Sequence, residues 1–266
     1  MIILVSAVGN HSNRLFQTIH FEAFAKENHL RYLNLTFNDI SYIYNRKGVK
    51  SRRIFAFVVK KTLKYFSVYN FTEDLNNKHY PEFHLLKKNI VLVGGWNFRV
   101  DNLTLKYKDY FRDIYSVAPE ILFKYMSTDK FNVSSILNKI HDFDIVVGVH
   151  IRRGDYKEWL GGVHYYEDEV FVQAMNKTKK IFFDKKILFV LFSNEHLNFP
   201  LDNEIIISNN EWFIDHHIMS LCDYLIGPPS TFTMWASYIS YKTKYYHIQH
   251  CKDFPNDIAD FVACNG

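Results

Sequence analysis

The sequence predicts an α/β fold, because short apolar runs alternate along the chain with segments of helical spacing. The apolar runs are continuous, which is typical of parallel strands that are covered by helices on both faces. Strands are predicted at Ile2–Val5, Tyr32–Leu35, Ile90–Val93, Ile145–Val149, Ile187–Phe192, Glu204–Ile207, Tyr224–Gly227 and Lys244–Ile248. Helices are predicted from Leu15 to Lys26, Phe171 to Phe183 and Thr233 to Tyr241.

The alternation falls into two blocks, which predicts two domains. The first domain comprises residues 1–141 and the second residues 142–266, whose first strand is Ile145–Val149. In open parallel sheets, ligands bind beyond the carboxyl ends of the strands. The residues that follow each strand are therefore the first candidates for a functional site.

The composition is that of a globular protein and excludes several function classes. The chain has 266 residues, enough for one large domain or two small ones, and 48% of them are hydrophobic. Its formal net charge of +4 is too small to indicate a nucleic-acid-binding protein. The three cysteines, Cys222, Cys251 and Cys264, contain no CxxC pair and fit a reducing compartment.

We expect a cytoplasmic protein. The apolar runs are too short to span a bilayer, and the first residues lack the basic leader of a signal peptide. Basic residues gather in the segment 46–64, which also holds Phe55 and Phe57. This segment is either an ordinary solvated helix face or a peripheral contact with the inner membrane surface.

Two adjacent arginines follow the strand Ile145–Val149 and form the strongest candidate site. Arg152 and Arg153 lie where a phosphate would bind, and guanidinium groups bind phosphate oxygens through paired, charge-assisted hydrogen bonds. The alternative is a pair of solvated surface cations, with Arg153 bonded to Asp155.

A second candidate follows the strand Tyr224–Gly227. After two prolines, Ser230 and Thr231 stand at the predicted N-terminus of a helix. Free amide donors and two hydroxyl groups at a helix N-terminus suit a phosphate. The alternative is simple capping, which needs only one hydroxyl group.

Two weaker candidates also follow strands. Asn13 and Gln17 lie four residues apart, on one face of the first predicted helix. Ser193 and Asn194 follow the strand Ile187–Phe192 and suit contacts with a base or a ribose. Ordinary turn chemistry explains the second pair equally well.

The sequence offers no good metal site, and we expect metal-independent chemistry with no cofactor. The pattern Asp142-Phe143-Asp144 precedes a strand and so points to the wrong edge of the sheet. His216 and His217 are adjacent, and neighbours on a helix do not share a face.

Together these segments resemble the α-1,2-fucosyltransferase family. Residues 150–156, His-Ile-Arg-Arg-Gly-Asp-Tyr, match the basic motif of that family at every position. Residues 222–236 are similar to its second motif, a Ser/Thr-rich turn after Gly-Pro-Pro. Residues 13–17, Asn-Arg-Leu-Phe-Gln, are similar to its N-terminal motif, Gly-Asn-Gln-[Met/Leu]-Phe-Gln, in which Asn13, Arg14 and Gln17 are the candidate site residues.

The resemblance implies a GT-B-like architecture, in which two Rossmann-like domains face each other across a cleft. The C-terminal domain would bind GDP-fucose, and the N-terminal domain would provide most of the site for an oligosaccharide or glycolipid acceptor. Transfer in this family inverts the anomeric centre. The residues implied in donor binding are His150, Arg152, Arg153, Ser193, Asn194, Asp223, Ser230, Thr231 and Phe232.

The resemblance also leaves two points open. Asp155 is the best candidate for a catalytic base, ahead of Glu158, Glu167 and Asp168, although an ion pair that orients Arg153 explains Asp155 as well. Ser12 stands where the family has a glycine, so the shape of that loop and the linkage formed are less firmly implied than the donor. A fucosyltransferase of another linkage or GDP-sugar and a non-catalytic nucleotide-sugar-binding protein are the alternatives.

Overall fold

The computed structural model describes residues 1–37, 39–44, 67–70, 90–197, 199 and 202–266. The basic segment 46–64 lies outside these residues. The chain forms two compact units, the first Met1–Ala118 with Asn265–Gly266 and the second Pro119–Cys264. The sequence predicts a later domain boundary, between residues 141 and 142. The difference arises because the two helices between Pro119 and Lys139 belong with the second unit.

The first unit is built on a parallel sheet whose strand order is β2-β1-β4-β3. Its strands are β1 (Ile2–Leu4), β2 (Tyr32–Asn34), β3 (Val68–Asn70) and β4 (Val91–Gly94), and its helices are α1 (His11–Glu27), α2 (Asp101–Lys106) and α3 (Lys108–Tyr115). Helix α1 is buried on almost every face from Leu15 to Ala25, and buried polar residues on it are hydrogen-bonded, Gln17 to Gly95 and Glu22 to Tyr115. Its Phe21 ring stacks on Phe98 at 4.4 Å.

The second unit is built on a parallel sheet whose strand order is β7-β6-β5-β8-β9. Its helices are α4 (Pro119–Met126), α5 (Val133–Lys139), α6 (Asp168–Ile181), α7 (Trp212–Leu221) and α8 (Thr231–Ile239), and its strands are β5 (Ile145–Ile151), β6 (Ile187–Ser193), β7 (Ile205–Ile207), β8 (Tyr224–Gly227) and β9 (Lys244–His247). The central strands are buried along almost their whole length, and α6 packs its Phe171 and Ala174 into the same core. This explains why β5 and β6 are continuous apolar runs.

Every strand predicted from an apolar run is present, with ends that shift by one or two residues, and so are the three predicted helices. The parallel α/β fold class is therefore confirmed. Strand β3 was not predicted from the sequence. No helix in the described ranges is long and apolar enough to cross a membrane.

The strand order reverses once in each sheet. In the second unit the chain runs outward from β5 to β6 and β7, and then crosses to β8 and β9 on the other side of β5. In the first unit the corresponding reversal lies between β1 and β4. A crevice at the carboxyl ends of the two strands that flank such a reversal is the usual ligand site of an open parallel sheet.

Candidate functional site

Arg152 and Arg153 follow β5 at this reversal point, and each makes an ion pair. The Nη2 atom of Arg152 lies 2.9 Å and 3.0 Å from the two carboxylate oxygens of Asp155. The Nη2 atom of Arg153 instead contacts the carboxylate of Asp168, the first residue of α6. The ion pair considered between Arg153 and Asp155 is therefore wrong. The chain turns at Gly154 and brings Asp155 to Arg152, while Arg153 pairs with Asp168.

The backbone of Arg153 is fixed by a side chain from the neighbouring strand. The Arg153 amide donates to Asn194 Oδ1 at 2.9 Å, and Asn194 Nδ2 donates to the Arg153 carbonyl at 3.2 Å. Gly154 has a φ of +62°, and a Cβ atom there would lie 2.9 Å from Asn194 Nδ2. Asn194 therefore positions Arg153, and its amide is already occupied in this structure.

The segments that follow β5 and β8 are held against each other. The buried Tyr156 hydroxyl donates to the carbonyl of Pro229 at 2.7 Å. Gly227 approaches His150 so closely that a Cβ atom at Gly227 would lie 2.5 Å from the His150 carbonyl oxygen. The two predicted phosphate-binding segments are in this way brought to one place.

Helix α8 begins beside residues 152–156, which we refer to as the arginine segment. The Ser230 hydroxyl accepts a hydrogen bond from the Phe232 amide at 3.1 Å, which makes Ser230 the N-cap, and Thr231 is the first helical residue. The Thr233 hydroxyl donates to the Ser230 carbonyl at 2.9 Å and lies 2.8 Å from Nε2 of His247. His247 of β9 therefore also contacts the first turn of α8.

Phe232 is enclosed by two histidines. Its ring centroid lies 5.2 Å from that of His150 and 3.9 Å from that of His216 on α7. Burial, together with Arg152 and His247, lowers the pKa of His150 to about 3. His150 is therefore neutral at physiological pH, and its buried Nδ1 atom has no partner among the described residues.

Two of the implied donor residues are placed differently. Asp223 precedes β8 and so lies at the opposite edge of the sheet, where it accepts from the Val146 amide at 2.8 Å and from Lys242 Nζ at 2.7 Å. The arrangement does not bring it to the arginines. Ser193 ends β6 at the correct edge, but its hydroxyl accepts from the Glu195 amide at 3.1 Å, as expected for ordinary turn chemistry.

The structure adds residues that the sequence analysis did not select for donor binding. His247 is the last residue of β9, at the carboxyl edge of the sheet, a position that could have drawn attention to it. Burial lowers the pKa of His247 to about 4. Asp215 on α7 is buried and accepts from the Ser208 hydroxyl at 2.5 Å, and burial raises its pKa to about 7. No local pattern marks Asp215, because its burial depends on how α7 packs.

The N-terminal candidates lie at the reversal point of the first sheet. Gln17 is 1% exposed, and its Nε2 atom donates to the carbonyls of Ser6 at 3.0 Å and Gly95 at 2.8 Å. It thereby joins the segments that follow β1 and β4. Arg14 makes a bidentate ion pair with Asp39, at 2.6 and 3.1 Å, which holds the pKa of Asp39 below its usual range.

The loop before α1 contains the conformation that glycine favours, at a different position. Gly9 has a φ of +66°, and the side chain of Asn13 lies against it, 2.1 Å from where a Cβ atom would stand. Ser12 is buried inside α1 and has no positive φ. The serine at this position therefore fits the helix, and the tight turn lies three residues earlier.

Across the described part of the chain, no group of three or more histidine, cysteine, aspartate or glutamate side chains is arranged to hold a metal ion. Asp144 lies at the amino edge of the second sheet, where it accepts from the Lys186 amide at 2.8 Å. Arg152 and Arg153 lie at the carboxyl edge of the same sheet, after β5. The Nε atom of Arg153 is buried without a hydrogen-bond partner among the described residues. An anion between the arginines and the start of α8 would satisfy such donors.

Comparison with solved structures shows which fold this is. The chain is similar to a mutant of FUT1 from Arabidopsis thaliana in complex with GDP (TM-score 0.60, 9% identity, 92% of this chain and 70% of that one). It is also similar to the α-1,6-fucosyltransferase NodZ of Bradyrhizobium, soaked with GDP-fucose (0.57, 13%, 96% and 99%). A third match is POFUT1 in complex with GDP-fucose (0.53, 11%, 96% and 96%).

Sequence comparison gives the family. A search of curated protein sequences finds no significant match. The family model described as glycosyl transferase family 11 matches residues 50–256, which include the arginine segment, the Ser230 cap and His247. The chain therefore belongs to glycosyl transferase family 11.

Proposed function

We propose that the chain is an inverting, metal-independent α-1,2-fucosyltransferase, which transfers L-fucose from GDP-fucose to a galactose-type hydroxyl of a glycan. The observation that carries the proposal is the convergence of Arg152, Arg153 and the capped N-terminus of α8 at the reversal point of the second sheet. Family membership and the GDP or GDP-fucose bound to the structural neighbours support it. The α-1,2 linkage rests on the motif resemblance, since the neighbours include an α-1,6 enzyme.

In this proposal the second unit binds the donor and the first unit provides most of the acceptor site. The bond between the anomeric carbon and a β-phosphate oxygen breaks, and its electron pair stays on that oxygen. Arg152 and Arg153 stabilise the developing charge together with the start of α8. Because Asn194 already fixes Arg153, little reorganisation is needed.

The acceptor oxygen attacks the anomeric carbon from the opposite face, so the configuration inverts. Its proton passes to a carboxylate, for which we propose Asp155. This side chain is 54% exposed and is held beside Arg152, next to the departing phosphate. His150 and Phe232 would contact the nucleotide, while Asn194 acts through Arg153.

We also propose a cytoplasmic location, where GDP-fucose would be the soluble donor. A peripheral contact with the inner membrane face through the segment 46–64 stays a prediction. A glycolipid acceptor would make such a contact useful, because it would bring the enzyme to its substrate.

The test is an assay of the full chain with GDP-fucose and lactose, with and without EDTA. We expect equal amounts of GDP and fucosylated lactose in both conditions, measured by mass spectrometry, and cleavage of the product by an α-1,2-specific fucosidase. Activity that disappears with EDTA would contradict the metal-independent mechanism. GDP binding without turnover on any of several galactosides would instead favour a non-catalytic binding protein.

A further inference from the structure

A loop that follows the arginine segment exposes an unusual apolar surface. Trp159 is 43% exposed, Leu160 65% and Val163 56%. Leaving side chains of this size in water forgoes the free energy of their burial. We refer to residues 158–164 as the Trp159 loop.

Two neighbouring aromatic rings contact the Trp159 ring although it is 43% exposed. Its centroid lies 4.8 Å from the ring of Tyr156 and 5.7 Å from the ring of His164. Tyr156 is itself fixed by the hydrogen bond from its hydroxyl group to the Pro229 carbonyl. The indole is thus connected through Tyr156 to the turn that precedes α8.

The backbone of the loop is also specialised. Leu160, Gly161 and Gly162 have φ values of +51°, +70° and +79°. A left-handed conformation at a leucine costs on the order of 1–3 kcal/mol. A Cβ atom at Gly162 would lie 2.9 Å from the Lys157 carbonyl oxygen, so the turn is tightly packed there. The loop is therefore shaped to present Trp159 and Leu160 outward.

We propose that Trp159 is a stacking platform for a sugar ring of the acceptor, an inference that rests on the proposed fucosyl transfer. The Arg152 guanidinium carbon lies 5.7 Å from the Tyr156 ring, and Trp159 is the next ring along. Trp159 therefore stands close to the proposed donor site, where an acceptor sugar would have to bind. The C–H face of a pyranose is apolar and packs on an aromatic ring, while its hydroxyl groups face polar neighbours such as Asp155 and Glu158.

The chemistry of the loop favours a glycan over a lipid surface. Interfacial segments that bind anionic membranes combine apolar residues with flanking basic ones. Here the two nearby arginines are paired with carboxylates, Arg152 with Asp155 and Arg153 with Asp168, and Lys157 is followed directly by Glu158. The loop would therefore offer an anionic bilayer little electrostatic attraction, whereas a neutral sugar meets no electrostatic repulsion there.

The test compares Trp159→Ala and Trp159→Phe with the wild-type enzyme, varying lactose at saturating GDP-fucose. We expect the KM for lactose to rise about three- to tenfold in Trp159→Ala, the range for a lost aromatic contact, and to be largely restored in Trp159→Phe. The Kd for GDP and the slow hydrolysis of GDP-fucose without acceptor are expected to stay unchanged. Phe183→Ala, which removes an aromatic ring that is 87% exposed at the end of α6, is the matched control.

An unchanged KM for lactose in Trp159→Ala would overturn the platform while leaving the proposed function intact. A parallel loss of GDP affinity would also overturn it, since the loop would then serve the donor. So would loss of sedimentation with phosphatidylglycerol vesicles at an unchanged KM, which would indicate a membrane contact. If the wild-type enzyme transfers no fucose to any galactoside, the proposed function fails and this inference fails with it.

Discussion

Arg153 differs from an ordinary surface arginine in three respects. Its side chain is only 13% exposed, its backbone amide and carbonyl are both hydrogen-bonded to the Asn194 side chain, and its guanidinium contacts Asp168. A guanidinium group binds phosphate as a planar fork, whereas the ammonium group of lysine is a single point charge. The geometry around Arg153 therefore suits a fixed, directional contact.

We expect Arg153→Lys to lower the rate of fucosyl transfer by about one to three orders of magnitude, as for the loss of an oriented transition-state donor. The measurement is kcat/KM for GDP-fucose under the assay described above. Arg112→Lys is the matched control, because Arg112 makes a similar ion pair with Asp109 in the first unit. A variant at position 153 with wild-type kinetics would remove this residue from the site.

At the level of single residues, the sequence predicted which side chains follow strands but not their partners. The arginine pair and Ser230 were found because residues after parallel strands share one edge of the sheet. Asp223 was included among the donor-binding residues on the motif match, although it precedes its strand and so lies at the opposite edge of the sheet. Asp168 and His247 could not be assigned as partners, because their contacts span many residues and depend on tertiary packing.

Helix α8 combines a structural role with the proposed phosphate site. Ser230 caps the helix through its hydroxyl oxygen, and the residue before it, Pro229, accepts a hydrogen bond from Tyr156 of the arginine segment. Both aspartate and asparagine cap helices about as well as serine. They differ in charge, which allows capping and anion binding to be separated.

We expect Ser230→Asp and Ser230→Asn to unfold in urea within about 0.5 kcal/mol of the wild-type protein, because each retains the cap. The Kd for GDP is expected to rise at least tenfold in Ser230→Asp and much less in Ser230→Asn, since only the carboxylate repels a phosphate. Calorimetric titration with GDP checks this. Equal GDP affinity in the two variants would show that the phosphates lie elsewhere.

At the level of elements, the prediction succeeded wherever an apolar run was continuous. Strands β5 and β6 are buried on both faces, so their sequences need no polar residues and are easy to recognise. Strand β3 was not predicted; it is three residues long and lies at the edge of its sheet, where it pairs with β4 alone.

The stability of the whole molecule is linked to pH through buried groups of opposite effect. Asp215 has a pKa of about 7 in the folded chain, because burial disfavours its charged form. The protonated Asp215 side chain therefore makes its full contribution to the free energy of unfolding below pH 4, and this contribution is lost as the pH rises toward 7. His150 and His247 have pKa values of about 3 and about 4, so they act in the opposite direction over part of that range.

We expect Asp215→Asn to remove the loss of stability that the ionisation of Asp215 causes as the pH rises. Relative to the wild-type protein, the free energy of unfolding of the variant is expected to increase between pH 4 and pH 7 by up to roughly 4 kcal/mol, which corresponds to the shift of the Asp215 pKa. Urea unfolding at several pH values measures the difference, in which the histidine contributions cancel. A difference that is constant with pH would contradict the raised pKa.

The contact between Gly227 and His150 limits how this protein can be altered. Any side chain at position 227 would meet backbone, which cannot rotate away, so strands β5 and β8 would have to separate. Laboratory evolution toward another sugar nucleotide would then be expected to leave this glycine untouched. New donor preferences would have to arise in the segments beyond the strand ends, where side chains have room to vary.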